Sequence, residues 1–193
     1  MALSSVCVYC GSSSQVAQHY KNSAHDVGTG LARRNIRVVY GGGHVGLMGI
    51  VADAALAAGG RVTGIIPEHI RVQEVQHDGL TELIVVPDMH TRKRLMVERS
   101  EAFVILPGGL GTLDEAFEII IWKKLKLHNK PIFLFNENGY WDEMMELIDK
   151  TIMEGFSQPA DAALYKEAGS VGSLFALLDE PVIPDMGSLT GRM

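Results

Sequence analysis

The chain has 193 residues, 47% of them hydrophobic and 21% charged, and this composition excludes an intrinsically disordered protein. Acidic residues outnumber basic ones by 23 to 17, and the formal net charge of −6 argues against general nucleic-acid binding. No apolar run approaches the ~18 residues that a membrane-spanning helix needs, and residues 1–5 lack the pattern of a signal peptide. We therefore expect a cytoplasmic protein that contacts neither nucleic acid nor a membrane.

Short apolar segments alternate with helical patterns along the chain. Strands are predicted at 6–9, 36–40, 61–66, 82–86, 102–106 and 131–135, and helices at 18–34, 46–58, 91–100, 112–125 and 141–154. Two of these strands, 83–86 and 102–106, are apolar without alternation, as in parallel sheets covered on both faces. The order predicts an α/β fold with a doubly wound parallel sheet, a Rossmann-like three-layer αβα arrangement. We expect a single nucleotide-binding domain over 1–180 and a flexible C-terminal tail over 181–193.

Two cysteines, Cys7 and Cys10, have the C-x-x-C spacing of some redox and metal sites. Cys7 lies within a predicted apolar strand, and no second cysteine pair supplies further zinc ligands. We therefore interpret the pair as structural, with a functional pair as the alternative.

Three glycine-bearing loops follow predicted strands at 10–14 (CGSSS), 41–46 (GGGHVG) and 107–112 (PGGLGT). In a doubly wound sheet such loops meet at the carboxyl ends of the strands, where ligands bind. Glycine lets backbone N–H groups approach an anion, and a helix N-terminus adds unpaired donors. Each loop alone is also explained as a tight turn, but three on one edge favour a phosphorylated ligand.

The second loop also matches G-x-G-x-x-G through Gly41, Gly43 and Gly46, with Glu68 about twenty residues further on. This pattern is typical of dinucleotide binding, but here it follows the second strand, and Gly49 adds a further glycine on the helix. An NAD-dependent oxidoreductase is therefore only an alternative. Neither a Walker A motif nor a G-x-S-x-G elbow is present in the sequence.

The third loop continues into Thr112-x-x-Glu115, the pattern of an N-terminal capping box. One interpretation of Glu115 is therefore a helix cap. The other is a functional carboxylate, because a carboxylate beside a sugar phosphate can stabilise an oxocarbenium-like centre, hold ribose hydroxyls or activate water.

A basic cluster, 92–94, opens the helix predicted before the fifth strand. Arg92 could grip a phosphate through two parallel hydrogen bonds, whereas spacing alone favours a solvated face paired with Glu98 and Glu101. His44 and His90 are candidates to donate to a base or phosphate, with ordinary loop positions as the alternative.

In these motifs the sequence resembles the LONELY GUY (LOG) family of cytokinin riboside 5′-monophosphate phosphoribohydrolases, over residues 6–156. The motifs that carry the resemblance are 6–13 (VCVYCGSS), 41–49 (GGGHVGLMG), 89–93 (MHTRK), 107–115 (PGGLGTLDE), 130–132 (KPI) and 136–140 (NENGY). The resemblance implies hydrolysis of the N-glycosidic bond of adenosine 5′-monophosphates, plain or N6-substituted, to free base and ribose 5-phosphate. It implies no cofactor and no metal.

The resemblance also carries site residues onto this sequence. The family's essential arginine and glutamate fall on Arg92 and Glu115. Together with the loop argument, the substrate-binding candidates are Ser12, Gly42, Gly43, Glu74, Met89, Lys93, Gly109, Leu110, Gly111, Thr112, Leu113 and Asp114. Ile121 stands before Trp122 where many members carry a threonine that touches substrate, so one contact differs here.

The sequence also allows other functions for this scaffold, and it bears on the oligomeric state. The same scaffold resembles the non-catalytic molybdenum cofactor carrier proteins, and a nucleotide-sensing module is a third possibility. Many LOG members are labelled lysine decarboxylases, but nothing in the sequence identifies a Schiff-base lysine. The resemblance implies a homodimer, and the helix over 112–125 is apolar around nearly its whole circumference, which fits either a dimer interface or a deeply buried helix.

Overall fold

The computed structural model describes residues 3–71 and 75–181, and it has the predicted α/β architecture. Its strands are β1 (Ser5–Tyr9), β2 (Arg37–Tyr40), β3 (Val62–Pro67), β4 (Glu82–Val86), β5 (Ala102–Ile105), β6 (Ile132–Phe135) and β7 (Lys166–Ala168). Its helices are α1 (Gln18–Arg33), α2 (Gly46–Ala57), α3 (Met89–Glu98), α4 (Leu110–Lys124), α5 (Asp142–Met153) and α6 (Val171–Leu178). Short 3₁₀ helices cover Glu68–Ile70, Glu137–Gly139 and Pro159–Ala163.

All seven strands are parallel and lie in the order β4-β3-β2-β1-β5-β6-β7. The chain builds the sheet outward from β1 to β4 and then returns to the other side of β1 with β5. The carboxyl ends of β1 and β5 therefore form the topological switch point at which doubly wound folds bind ligands.

The strands are apolar on both faces because each face is covered by helices. Val6 and Val8 of β1 pack in one cluster with buried residues of α1, α2 and α6. Cys7 and Tyr9, which alternate with them, pack in a second cluster with α3, α4 and α5. The three-layer arrangement is thus confirmed, with the sheet between two helical layers.

The predicted strands and helices are confirmed, but two elements near the C-terminus were not predicted. These are β7, which has two exposed charged residues and only Ala168 buried, and α6, which covers the first cluster through Leu174, Phe175 and Leu178. The helix α3 starts at Met89, two residues before the predicted start, because the Asp88 carboxylate accepts a hydrogen bond from the Thr91 amide (2.7 Å).

The cysteine interpretation agrees with the structure. Cys7 and Cys10 are buried and unbridged, and Cys7 lies in β1 as predicted. Burial raises the pKa of both thiols, so they are neutral and poor nucleophiles at physiological pH.

Among the described helices, none has both the length and the apolar character to cross a membrane. Of the predicted tail, residues 182–193 lie outside the described part of the chain.

Candidate functional site

The three glycine loops meet at the switch point. The Gly11 amide donates to the Pro107 carbonyl (3.0 Å), which joins the loop after β1 to the loop after β5. The Leu47 amide of α2 donates to the Gly11 carbonyl (2.9 Å), which joins the loop after β2 to the same point. Backbone hydrogen bonds therefore bring together loops that are far apart in the sequence.

An open cavity of about 390 Å³ is lined by the loops after β1 and β5 but by no residue of the second glycine loop, 41–46. Its lining comprises Cys10, Gly11, Ser12, Met48, His69, Ile70, Met89, Arg92, Gly109, Leu110, Gly111, Thr112, Asp114 and Glu115. Both predicted catalytic residues and seven of the substrate-binding candidates thus face one space. Gly42, Gly43, Lys93 and Leu113 are not part of this lining, and Glu74 lies outside the described residues.

Arg92 is a buried residue of this cavity and not part of a solvated face. Only 4% of its surface is exposed, and its Nη2 group donates to the Gly41 carbonyl (3.2 Å). A Cβ atom added at Gly41 would overlap Nη2, so this glycine makes room for the guanidinium. The solvated-face interpretation holds only for Arg94, whose side chain is half exposed and pairs with Glu98 (2.8 Å).

Lys93 points from α3 to α4. Its Nζ lies 3.2 Å from Asp114 Oδ2 and 3.0 Å from Glu118 Oε1. Burial by itself would lower the pKa of Lys93, but the two carboxylates outweigh it and raise that pKa above its ordinary value. The Lys93 ammonium group is thus already paired with two carboxylates of the protein, those of Asp114 and Glu118.

The start of α4 differs from the prediction, and the capping box is wrong. The helix begins at Leu110 with Gly109 as its N-cap, so Thr112 is its third residue. Thr112 is buried, and a Cβ atom at Gly108 would overlap its hydroxyl. Glu115 therefore lies in the second turn of α4 and faces the cavity. Its negative charge also raises the pKa of Cys7 and Cys10, after burial the largest cause in each case.

The first turn of α4 faces the cavity through exposed backbone. Gly109, Leu110 and Gly111 are all exposed cavity residues, and the first amides of a helix have no partner within it. A Cβ atom at Gly109 or Gly111 would meet no atom within 4 Å. This turn can therefore accept an anion close to its backbone.

Several residues of the site were not predicted. His69 and Ile70 enter the cavity from the 3₁₀ helix after β3, and Tyr140 donates through its hydroxyl to the Gly108 carbonyl (2.7 Å). The only sequence signal was for Tyr140, which lies in one of the motifs of the family resemblance. His69 and Ile70 carry no local signal, because their position depends on how the segment after β3 folds back.

The comparisons with known proteins agree with this geometry. The family model described as possible lysine decarboxylase matches residues 48–178. LOG1 of Arabidopsis thaliana, a cytokinin riboside 5′-monophosphate phosphoribohydrolase, is 41% identical over 177 residues, which cover 92% of this chain and 83% of LOG1. The phosphoribohydrolase of Rhodococcoides fascians is 48% identical over 157 residues, which cover 81% of this chain and 79% of that protein. The chain belongs to the LOG family.

Solved structures show the same fold beyond the LOG family. The molybdenum cofactor carrier protein of Chlamydomonas reinhardtii superposes with a TM-score of 0.69 over 90% of this chain and 94% of that protein, at 23% identity. The molybdenum cofactor binding protein of Rippkaea orientalis gives a TM-score of 0.67 at 20% identity, over 92% and 96% of the two chains. At these identities the likeness is one of fold, so it leaves the LOG-family assignment unchanged.

Proposed function

We propose that this chain hydrolyses the N-glycosidic bond of adenosine 5′-monophosphates, including N6-substituted ones, and releases the free base and ribose 5-phosphate. The observation that carries the proposal is the convergence of Arg92 and Glu115 on one cavity at the switch point. The names of its relatives, which are 41–48% identical, support the same reaction.

In this proposal the phosphate binds at the first turn of α4. The amides of Gly109, Leu110 and Gly111 supply donors, and the positive end of the helix dipole favours the anion. Binding energy from the phosphate holds the ribose in place for reaction.

Glu115 acts on the ribose. When the bond between C1′ and the base breaks, the base leaves with the electron pair and takes up a proton, while positive charge develops on C1′ and the ring oxygen. The Glu115 carboxylate stabilises that charge and orients the water whose oxygen adds to C1′. The proton that this water loses balances the proton that the base takes up. Arg92 anchors the substrate through its guanidinium, which lies at the wall of the same cavity.

Decarboxylation of lysine is not the activity that the site supports. A Schiff-base lysine needs a lowered pKa. Among the described residues that line the cavity there is no lysine, and Lys93, which follows Arg92 on α3, has its pKa raised by Glu118 and Asp114.

The test is release of free base from AMP and from N6-isopentenyl-AMP, followed by chromatography. Glu115→Gln is expected to lower kcat by roughly 10²–10⁴-fold with a smaller change in KM. Arg92→Ala is expected to weaken binding or turnover. Glu98→Gln is the matched control, because Glu98 is an exposed carboxylate on α3 away from the cavity.

Two results would count against the proposal. Wild-type turnover in Glu115→Gln would show that this carboxylate does not act in the reaction. Nucleotide binding without release of base by the unaltered protein would favour a carrier or sensing function. The ratio of rates for the two nucleotides would measure preference for the N6 substituent.

We also propose that the chain forms a homodimer. Most large hydrophobic residues that are exposed in the described chain lie in or beside α4 and α5: Leu110, Ile121, Leu125, Leu127, Leu147, Met153 and Phe156. In contrast, α1, α2 and α6 on the opposite layer carry no such residue among those described. A second copy that covers the α4–α5 layer would remove this apolar surface from water.

The oligomeric state is measured by light scattering. Ile121→Asp is expected to shift a dimer toward monomer, because it places a charge in the buried part of the interface. The control Asn22→Asp adds the same charge on α1, on the opposite layer. An unaltered protein that is monomeric at all concentrations would contradict the dimer.

A cytoplasmic location is also part of the proposal, and the unbridged Cys7 and Cys10 support it.

A further inference from the structure

The second glycine loop, 41–46, forms backbone hydrogen bonds with the segment that follows β3. The His77 amide donates to the Gly42 carbonyl (3.0 Å), and the His44 amide donates to the Val75 carbonyl (2.8 Å). Gly43 and Gln76 form an antiparallel bridge between these two contacts. Gly42 and Gly43 thus use their backbone to bind this segment.

The other end of the same segment forms a wall of the cavity. His69 and Ile70 line the cavity, and Arg71 follows them directly. Arg71 Nε donates to Gln76 Oε1 (2.7 Å), and the Gln76 amide donates to the Arg71 carbonyl (3.1 Å). The position of the cavity wall therefore depends on where Gln76 and His77 are fixed.

The hydrogen bonds of the His77 side chain select one tautomer of its ring. It is 95% buried, and its Nδ1 accepts a hydrogen bond from the Gly79 amide (3.0 Å). Because Nδ1 is an acceptor, the ring proton lies on Nε2, which donates to Asp53 Oδ1 of α2 (2.9 Å). His77 thereby connects the glycine loop, α2 and the segment after β3.

His44 completes a cluster around Asp53, with its Nε2 3.4 Å from Asp53 Oδ2. Two histidines and a carboxylate, whose ligand atoms lie within 4.8 Å of one another, are also residue types that bind zinc. A zinc ion on His77 Nε2 would force the proton onto Nδ1, where it would face the Gly79 amide. A ligating histidine instead needs an acceptor at that nitrogen. The geometry therefore favours a hydrogen bond between His77 and Asp53, the His77–Asp53 tie, over a metal centre.

Two neighbouring carbonyls connect this tie to the site. Gly41 O accepts from Arg92 Nη2 (3.2 Å), and Gly42 O accepts from the His77 amide (3.0 Å). We propose that His77 is a positioning residue, held by Asp53, that sets the glycine loop under Arg92 and the cavity wall at His69 and Ile70. This inference rests on the proposed function, since its consequence is the affinity for the nucleotide.

Two variants of His77 separate the tie from simple burial. In His77→Gln the amide nitrogen can occupy the place of Nε2 and donate to Asp53. In His77→Asn the amide oxygen can occupy the place of Nδ1 and accept from Gly79, but the bond to Asp53 is lost. Both variants are uncharged and polar, so they differ chiefly in the contact to be tested. His25→Asn is the control, because His25 is an exposed residue of α1.

The experiment measures KM and kcat for AMP together with amide hydrogen exchange. His77→Asn is expected to raise KM about tenfold, the effect of one charge-assisted hydrogen bond, and to change kcat less than about threefold. His77→Gln is expected to stay within about threefold of the unaltered protein in KM. Hydrogen exchange at the His77 and His44 amides is expected to accelerate in the Asn variant only.

The outcomes are separable. If the unaltered protein is active and neither His77 variant changes its KM, the inference alone is overturned. Equal increases in KM for the two variants would also overturn it, because burial and not the Asp53 contact would then matter. Stoichiometric Zn²⁺ binding that the Asn variant loses would overturn the assigned proton position and the tie. An unaltered protein that neither binds nor cleaves AMP would overturn the proposed function, and the inference with it.

Discussion

Lys93 Nζ lies 3.0 Å from Glu118 Oε1, and this contact joins α3 to α4 directly beside Arg92 and Glu115. Both partners are largely shielded from water, with side-chain exposures of 11% and 21%. The two helices that carry the proposed catalytic pair are therefore connected by an ion pair of their own. Such a pair fixes their relative position whether or not a nucleotide is bound.

Lys93→Met is expected to lower the free energy of unfolding by on the order of 3 kcal/mol, because it leaves the largely shielded Glu118 carboxylate without its cation. Urea denaturation measures the change. Arg94→Met is the control, since the exposed pair of Arg94 with Glu98 contributes less than about 1 kcal/mol. The double variant Lys93→Met, Glu118→Leu is expected to recover part of the loss. Equal losses in the two single variants would contradict the buried pair.

Gly41→Ala is expected to reduce turnover of AMP by about 100-fold with little change in thermal stability. The added Cβ would overlap the end of the Arg92 side chain, which can move aside, but the guanidinium then leaves its place in the cavity. Steady-state kinetics and a thermal melt measure the two effects. Gly169→Ala, at an exposed position with open space, is expected to change neither. Unchanged kinetics in Gly41→Ala would show that Arg92 tolerates displacement.

Gly111→Ala tests whether phosphate approaches the first turn of α4. The position has open space and lies in a helix, so alanine is expected to leave stability unchanged or raise it by up to about 1 kcal/mol. AMP affinity, measured by calorimetry, is expected to fall at least tenfold, because the methyl group occupies the space that the phosphate needs. Unaltered affinity would place the phosphate elsewhere in the cavity.

His128 is expected to make the protein less stable in acid. Its Nδ1 accepts from the Lys130 amide (3.1 Å), so its Nε2 carries the proton that is donated to the Ile119 carbonyl (2.9 Å). Burial lowers the pKa of His128, although the bond to Ile119 opposes this shift. The folded state therefore binds a proton less readily than the unfolded state. The stability contributed by neutral His128 is complete above its ordinary pKa of about 6.5 and declines as the pH falls below it.

The measurement is the free energy of unfolding in urea between pH 5 and 7.5. In His128→Gln the donor to Ile119 is kept and the titrating ring is removed, so the decline toward pH 5 is expected to be shallower. Control measurements use His25→Gln, which removes an exposed imidazole. Parallel pH profiles for His128→Gln and the unaltered protein would contradict this account.

The layered fold could be predicted because its signals are local. Adjacent residues of β1, such as Cys7 and Val8, face opposite sides of the sheet and are both apolar, and a short run of this kind between turn signals is typical of a buried parallel strand. The strand β7 gives no such signal. Lys166 and Glu167 are exposed, and the strand joins the sheet edge through backbone hydrogen bonds to β6. Backbone pairing does not depend on side-chain type, so sequence patterns do not reveal it.

The predicted start of α4 was wrong for a related reason. Thr112 has the preferred chemistry of an N-cap, but the chain already turns into the helix at Gly109, and Thr112 packs under Gly108. Contacts between the loops after β1 and β5, such as Gly11 with Pro107, place that turn. A local capping rule does not contain this information.

The sequence by itself determined the fold class, the three glycine loops and, through their motifs, the identity of Arg92 and Glu115 as candidates. Only the tertiary structure decided what each side chain does. Arg92 is buried on Gly41, Lys93 is paired with Glu118, and His77 is tied to Asp53. The physical reason is range: helix and strand periodicity relates residues a few positions apart, whereas these partners lie 24 to 51 residues apart and meet only when the sheet brings its loops to one edge.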